Sequence, residues 1–207
     1  MQFIVDFVRP ATKLAFQKLY RMRFFGVENV PLEGPLIITP NHVSYYDPIL
    51  IHLPIARPIY YMAWDRLFEI PVLGSVISKL GAFPVKLAGH DLAAMRRATA
   101  VLKAGGALVI FPEGSRSHTG QLTEFKPGAF RLAVKLDVPV LPVAMKGAWE
   151  VWPPHKRLPK LRGKIDIYYG KPVCPMPGGS TKQRVERLSA CVYQAVLEML
   201  ESARRHD

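Results

Sequence analysis

The feature that most constrains the fold of this chain is the alternation of short apolar runs with amphipathic helical patterns. The run "LIIT" lies between Pro35 and Pro40, and "ALVI" follows a pair of glycines. Runs of this length and composition are typical of strands that are buried on both faces. Because helical segments separate the runs, the strands can pair in parallel, and we predict an α/β fold with a mostly parallel central sheet flanked by helices.

Further elements follow the same order along the chain. Strands are predicted at "PIYYMAW", "GAFPV", "VPVLPVAM" and "KIDIYYGKPV", and helices at "DPILIHL", "LGSVISKL", from Gly89 to Gly106, at "KPGAFRLAVKLD" and over residues 181–204. The 207 residues suit one domain with a sizeable core, without internal repeats or an evident linker.

Residues 1–25 have the pattern of an amphipathic helix with basic residues on its polar side. Pro10 is expected to kink this helix or to split it in two. Two interpretations stay open for the segment: a helix packed on the core, or an interfacial helix with its apolar side in lipid and its basic side chains near anionic headgroups.

The charge balance favours anionic partners. The 28 Lys and Arg exceed the 16 Asp and Glu, which gives a net charge of +12. The basic stretch from Pro153 to Gly163 is either a solvated loop or a contact for headgroup phosphate. No apolar stretch reaches the roughly 18 to 20 residues that span a bilayer, so no transmembrane span is predicted. Basic charge without a recognised nucleic-acid motif does not support a nucleic-acid partner.

Several classes of site lack their sequence signatures. The chain has no GxGxxG, no GxxxxGK[ST] and no GxSxG motif, which argues against a dinucleotide site, a P-loop and a nucleophile-elbow hydrolase. No HExxH or Cys/His cluster predicts a metal site. Cys174 and Cys191 show no CxxC spacing, so we expect ordinary packing residues in a reducing cytosolic compartment.

The stretch "TPNHVSYYDPIL" raises a first candidate pair, His42 and Asp47. On a continuous helix these side chains would diverge by about 140°, so they can meet only across a bend. The sequence Asp47-Pro48 is typical of a helix start, with Asp47 as N-cap. One carboxylate oxygen could cap the helix while the other accepts Nδ1–H of His42, leaving Nε2 as a base. Taken alone the pair is a weak signal, and a metal reading would need further ligands.

A second candidate segment is "FPEGSRS", which a buried strand delivers to the edge of the sheet. Ligands commonly bind at the carboxyl ends of strands in such folds. Gly114 permits a tight turn, and the planar fork of Arg116 suits a phosphate. Glu113 could orient that fork or bind a substrate hydroxyl, and the alternative is a loop salt bridge.

Together, "NHVSYYD" and "FPEGSRS" resemble the glycerolipid acyltransferase family, specifically the 1-acylglycerol-3-phosphate acyltransferases. The order and spacing match the NHxxxxD and FPEG[TS]RS blocks of that family. Two weaker blocks, "GAFPVK" and "VPVLPV", also match in place. The resemblance covers roughly residues 25–175 and implies an acyltransferase domain over residues 26–207, preceded by a membrane-associating segment over residues 1–25.

The resemblance also implies roles for particular residues. His42 would be the general base, held by Asp47, and would deprotonate the acceptor hydroxyl of a lysophospholipid. An acyl thioester, either acyl-CoA or acyl carrier protein, would be the donor, with no metal and no further cofactor. Candidate substrate-binding residues are Asn41, Lys86, Glu113, Gly114, Ser115, Arg116 and Pro142. Backbone N–H groups near residues 41–47 are candidates to stabilise the oxyanion.

One position departs from the family pattern. The second block usually ends in arginine, and Lys86 keeps the charge but loses the bidentate fork. We therefore expect either 1-acylglycerol-3-phosphate as acceptor, giving phosphatidic acid, or another lysophospholipid or lyso-aminolipid. In either case we expect a peripheral enzyme on the cytoplasmic face of an anionic membrane.

Overall fold

The computed structural model describes residues 2–86 and 91–204, which form seven α-helices and seven strands. The helices are α1 (Gln2–Tyr20), α2 (Asp47–His52), α3 (Leu73–Lys79), α4 (Leu92–Lys103), α5 (Gly128–Leu136), α6 (Ala148–Val151) and α7 (Thr181–Arg204). The strands are β1 (Arg23–Phe25), β2 (Leu36–Pro40), β3 (Ile59–Trp64), β4 (Ala82–Val85), β5 (Ala107–Val109), β6 (Val140–Lys146) and β7 (Asp166–Tyr169).

All seven strands join one sheet in the order β1-β7-β6-β2-β5-β3-β4. Every neighbouring pair is parallel except β6 and β7, which are antiparallel. The predicted mostly parallel sheet is therefore confirmed. Because β7 is reversed and β1 runs parallel to it, these two strands begin at the edge where the other five strands end.

Side chains of the central strands alternate between two cores, one on each face of the sheet. In β2, Leu36 and Ile38 pack on one face and Ile37 packs on the other. The first face is covered by α2, α6 and the end of α1, and the second by α4, α5 and α7. Helices on both faces explain why the strands read as continuous apolar runs rather than as alternating patterns.

The N-terminal segment differs from the prediction in two respects. Helix α1 is continuous through Pro10, so the predicted split does not occur. It ends at Tyr20 rather than near residue 25, because Arg21 adopts a left-handed conformation with φ of 42° and the chain then enters β1. Arginine is uncommon at such a position, where helix termination favours glycine.

The described side chains of α1 fit parts of both interpretations of this helix. Phe16 and Tyr20 pack against the core, while Leu14 and Leu19 are exposed. The side chains before Pro10 lie outside the described part of the chain.

Two further elements, β1 and α6, were absent from the prediction. Helix α4 begins after Asp91, whose side chain caps it by accepting the N–H of Ala94 at 3.0 Å. Gly89 and His90, at the start of the predicted segment, lie outside the described residues. None of the helices within residues 2–86 and 91–204 combines the length and the apolar character that a bilayer crossing requires.

Candidate active site

The two candidate segments meet because their strands are neighbours. Strands β2 and β5 pair in parallel, so the residues that follow them emerge side by side at the carboxyl edge of the sheet. His42 follows β2 and Phe111 follows β5, and their rings stack with centroids 3.8 Å apart. The N–H of Ser117 also donates to the carbonyl of His42 at 2.7 Å, which ties the two loops together.

His42 and Asp47 are in direct contact across the predicted bend. The chain leaves β2 at Pro40, turns, and enters α2 at Asp47, which brings Nδ1 of His42 to 2.7 Å from Oδ2 of Asp47. Asp47 is fully buried, whereas 18% of the His42 side chain is exposed. With Nδ1–H donating to the carboxylate, Nε2 carries the free lone pair.

The predicted capping role of Asp47 is wrong. Asp47 is the first residue of α2, and Tyr46 takes the N-cap position without a side-chain cap. Its carboxylate faces backward along the chain: Oδ2 accepts the N–H groups of Val43 and Ser44 at 2.7 and 2.8 Å as well as Nδ1–H of His42. Oδ1 is buried and has no hydrogen-bond partner among the described residues. Asp47 therefore organises the whole loop around His42.

Glu113 connects the second segment to the backbone beneath His42. Its Oε1 accepts the N–H of His42 at 2.6 Å, and its Oε2 accepts both the N–H and the hydroxyl of Thr123 at 3.0 and 2.6 Å. Burial raises the pKa of the Glu113 carboxyl, against the lowering effect of these donors. Both oxygens are thus engaged, and neither is directed to Arg116 as the sequence had suggested.

Replacing Glu113 by alanine is expected to lower the free energy of unfolding by about 1 to 3 kcal/mol, because the partly buried donors on His42 and Thr123 lose their acceptors. Denaturant unfolding followed by circular dichroism measures this change. Glu124→Ala is the matched control, since Glu124 is exposed on the same loop, and it should change stability by less than about 0.5 kcal/mol. Equal effects of the two variants would contradict the structural role of Glu113.

The side chain of Arg116 is partly exposed and lies next to Tyr45 of the His42 loop. Gly114 makes the predicted tight turn with φ of 76°, and Ser115 after it is exposed. The guanidinium of Arg116 lies 3.8 Å from the ring centroid of Tyr45, which belongs to the His42 loop. This cation–π contact holds the fork beside the catalytic candidates and leaves its N–H groups available for an anion.

Lys126 adds a second cation to the same turn. Its ammonium approaches Gly114 so closely that a Cβ on that glycine would lie 2.6 Å from Nζ. Sequence reasoning missed Lys126, Tyr45 and Thr123. Lys126 precedes Pro127 at a helix start, which marks the end of the loop, but no local pattern indicates the contacts of Tyr45 and Thr123, because their partners are distant in sequence.

Of the remaining candidate substrate-binding residues, Asn41 and Pro142 are buried and Lys86 is exposed at the end of the edge strand. Asn41 is buried, and its side-chain amide binds the backbone of Met145 in β6. Its Nδ2 donates to the carbonyl of Met145 at 3.1 Å, and its Oδ1 accepts the N–H of Met145 at 2.7 Å. Pro142 is buried within β6 in register with Thr39, and its ring packs against Gly170. Lys86 is exposed at the carboxyl end of the edge strand β4, three strands from β2, or about 14 Å.

Within residues 41–47, the region expected to stabilise an oxyanion, the backbone N–H groups of residues 41–46 are already engaged. From Asn41 to Tyr46 each N–H donates within the protein: to Val143, Glu113, Asp47 (twice), Trp152 and Ser44. These groups hold the loop in shape and are not free to bind substrate. Arg116 and Lys126 are two cations close to this loop, one over the ring of Tyr45 and the other beside Gly114.

Metal ligation has no support in the described part of the chain, where no cluster of three or more His, Cys, Asp or Glu side chains is placed to hold an ion. The site is instead a histidine–carboxylate pair beside an arginine and a lysine. Such an arrangement can take a proton from a substrate hydroxyl and bind an anionic group close to it.

The chain shares its fold and sequence with known acyltransferases. The crystal structure of the 1-acyl-sn-glycerophosphate acyltransferase PlsC from Thermotoga maritima matches with a TM-score of 0.79 and 30% identity, covering 96% of this chain and 80% of that one. A chloroplastic 1-acyl-sn-glycerol-3-phosphate acyltransferase of Arabidopsis thaliana is 29% identical over 77% of this chain and 46% of its own length. The 1-acyl-sn-glycerol-3-phosphate acyltransferase of Borreliella burgdorferi is 32% identical over 58% of this chain and 49% of its own.

This chain spans about half the length of these curated relatives. The sequence model of the Acyltransferase family matches residues 21–146, which include both His42–Asp47 and the 111–117 segment. Since that match extends over more than half of the chain, the protein belongs to the Acyltransferase family.

Proposed function

We propose that this protein transfers a fatty acyl group from an acyl thioester to the free hydroxyl of 1-acylglycerol-3-phosphate, giving phosphatidic acid. The observation that carries the proposal is the 2.7 Å contact between Nδ1 of His42 and the buried carboxylate of Asp47, with Arg116 held beside the pair. The similarity to PlsC and to the plant and bacterial relatives supports the acceptor class.

In the proposed reaction Nε2 of His42 takes the proton of the acceptor hydroxyl as the hydroxyl oxygen attacks the thioester carbonyl. The negative charge of Asp47 stabilises the imidazolium that forms and keeps the ring in the required tautomer. Collapse of the tetrahedral intermediate breaks the carbon–sulfur bond, and the leaving thiolate takes the proton from Nε2. The reaction needs the thioester, acyl-CoA or acyl carrier protein, as co-substrate and no other cofactor.

The acceptor phosphate is proposed to bind at the Arg116–Lys126 side of the site. Arg116 offers two parallel N–H groups for bidentate binding, and Lys126 adds a point charge next to the Gly114 turn. Lys86 lies farther along the same edge and can contribute to the field that attracts an anion rather than to a close contact.

The lysine at position 86, where the family pattern has arginine, motivates a second candidate, acyl transfer to another lysophospholipid or a lyso-aminolipid. A screen of acceptors and donors with purified protein tests both. Release of free thiol with lysophosphatidate as the best acceptor supports the first proposal, and a preference for a zwitterionic or amino acceptor supports the second. Absence of transfer from any thioester to any lysolipid would refute both.

Replacing Arg116 by lysine is expected to raise KM for lysophosphatidate about tenfold, equivalent to 1.4 kcal/mol, with kcat changed by less than about twofold. Lysine loses both the bidentate geometry and the stack on Tyr45. Steady-state kinetics measure the effect. Arg131→Lys, an exposed site on α5, is the matched control and should behave as wild type; an unchanged KM in Arg116→Lys would argue against phosphate binding there.

A further inference from the structure

We propose that a basic groove between the end of α1 and residues 156–164 docks the protein on an anionic lipid bilayer by binding headgroup phosphates. The inference deepens the proposed function, on which it rests for the choice of a lipid acceptor. It assigns the surface that faces the membrane, which the histidine–carboxylate site does not define.

The groove has a volume of about 600 Å³ and a lining rich in cations. Its basic residues come from both sides: Lys18 and Arg21 from the end of α1, and Arg162 and Lys164 from the segment before β7. Arg21 occupies the left-handed position that ends α1, where the sequence could have used glycine. The arginine at this position adds a cation to the groove, although its left-handed backbone conformation is strained.

Exposed leucines surround these cations. Leu158 and Leu161 project from the 156–164 segment with 78% and 77% of their surface accessible, and Leu14 and Leu19 are exposed on α1. Adjacent apolar and basic side chains are typical of surfaces that lie in the headgroup region of a bilayer, with the apolar groups in the acyl boundary. Each basic residue near an anionic surface strengthens binding roughly fivefold.

The reversed strands place this surface at the catalytic edge of the sheet. Asp166 at the start of β7 pairs with Lys146 at the end of β6, and Arg23 at the start of β1 pairs with Asp166. The residues that precede both strands, 161–165 and Arg21, therefore lie at the edge where His42 emerges from β2. A bilayer against the groove would lie along the accessible side of the active site.

The surface is held firmly although the 156–164 segment has no regular secondary structure. The hydroxyl of Tyr20 donates to the carbonyl of Lys160 at 3.0 Å, and the N–H of Lys160 donates to Val151 of α6 at 2.9 Å. Tyr20 is also 3.3 Å from the hydroxyl of Tyr46, the residue before Asp47. Tyr20 and Tyr46 thus link the proposed lipid surface to the residue that precedes Asp47.

Binding to phosphatidylcholine vesicles with and without phosphatidylglycerol tests the proposal by co-sedimentation. Lys18→Glu/Arg162→Glu should weaken binding to the anionic vesicles about 25-fold or more. Arg131→Glu/Lys135→Glu on α5 makes the same change in net charge on the opposite face, and it should weaken binding by less than about threefold, because screened charges act over a short range. Leu158→Ser/Leu161→Ser should reduce the binding that persists at high salt.

Equal losses in the groove variant and the α5 variant, or no loss in the groove variant, would overturn the proposal. So would loss of oligonucleotide binding in the groove variant with vesicle binding retained, which would make the groove a nucleic-acid site. Acyl transfer to a short-chain, water-soluble lysophosphatidate separates the two proposals. Wild-type rates in the groove variant are expected; absence of transfer in every protein, with vesicle binding lost only in the groove variant, would refute the proposed function and leave the docking surface standing.

Discussion

Replacing His42 by alanine is expected to lower kcat for acyl transfer by roughly 10³-fold or more. Without Nε2 the acceptor hydroxyl loses the base that the proposed mechanism assigns to it, and Asp47 has no imidazole to orient. The KM for lysophosphatidate should change little, because Arg116 and Lys126 remain. Single-turnover transfer from a labelled thioester measures the loss of the chemical step separately from product release.

The control for this variant is His118→Ala, which removes an exposed histidine from the loop after the 111–117 segment. It should retain the wild-type rate. Because His42 also stacks on Phe111, the unfolding of His42→Ala must be measured alongside its activity. A folded His42→Ala with a rate within about tenfold of wild type would eliminate the general-base mechanism.

Replacing Asp47 by asparagine is expected to lower kcat by roughly 10² to 10⁴-fold while the fold is preserved. The amide oxygen can occupy the position of Oδ2 and still accept the N–H groups of Val43 and Ser44. The amide nitrogen then falls at the position of Oδ1, which has no partner among the described residues. The substitution therefore removes the negative charge that stabilises the imidazolium with little change in loop geometry.

Thermal unfolding and steady-state kinetics of Asp47→Asn together separate charge from geometry. Asp137→Asn, at an 80% exposed side chain, controls for the loss of one carboxylate and should be neutral in both measurements. Asp47→Ala should lose stability as well as activity, because it leaves the loop N–H groups unsatisfied. Wild-type turnover in Asp47→Asn would show that Asp47 only shapes the loop.

The strand and helix pattern could be predicted because burial on both faces of a parallel sheet produces apolar runs such as "LIIT" and "ALVI". The same reasoning placed the segment of Arg116 at an edge of the sheet, because it follows a buried strand, and the pairing of β2 with β5 brings His42 to that edge. Strand β1 could not be found in this way. Its three residues continue the apolar pattern of α1, and only pairing with β7 makes them extended.

The misassigned details of the site share a physical reason. Local sequence identified Asp47 as an N-cap, because Asp-Pro favours helix starts. The carboxylate instead turns back to three donors of the His42 loop, which together outweigh one capping bond. The engagement of Glu113 by Thr123 and of the loop N–H groups by Trp152 and Val143 depends on chain reversals that no short motif encodes.

The pairing of β1 with β7 also has a consequence for the order in which the molecule forms during synthesis. Arg23 and Asp166, joined by two hydrogen bonds of 2.7 and 2.6 Å, are 143 residues apart. At ribosomal rates of about 5 to 20 residues per second, roughly 7 to 30 s pass between their emergence. Throughout that interval α1 has left the ribosome while its groove partner does not yet exist. Under the proposed docking, its leucines can therefore meet a bilayer before the last strand joins the sheet that carries His42.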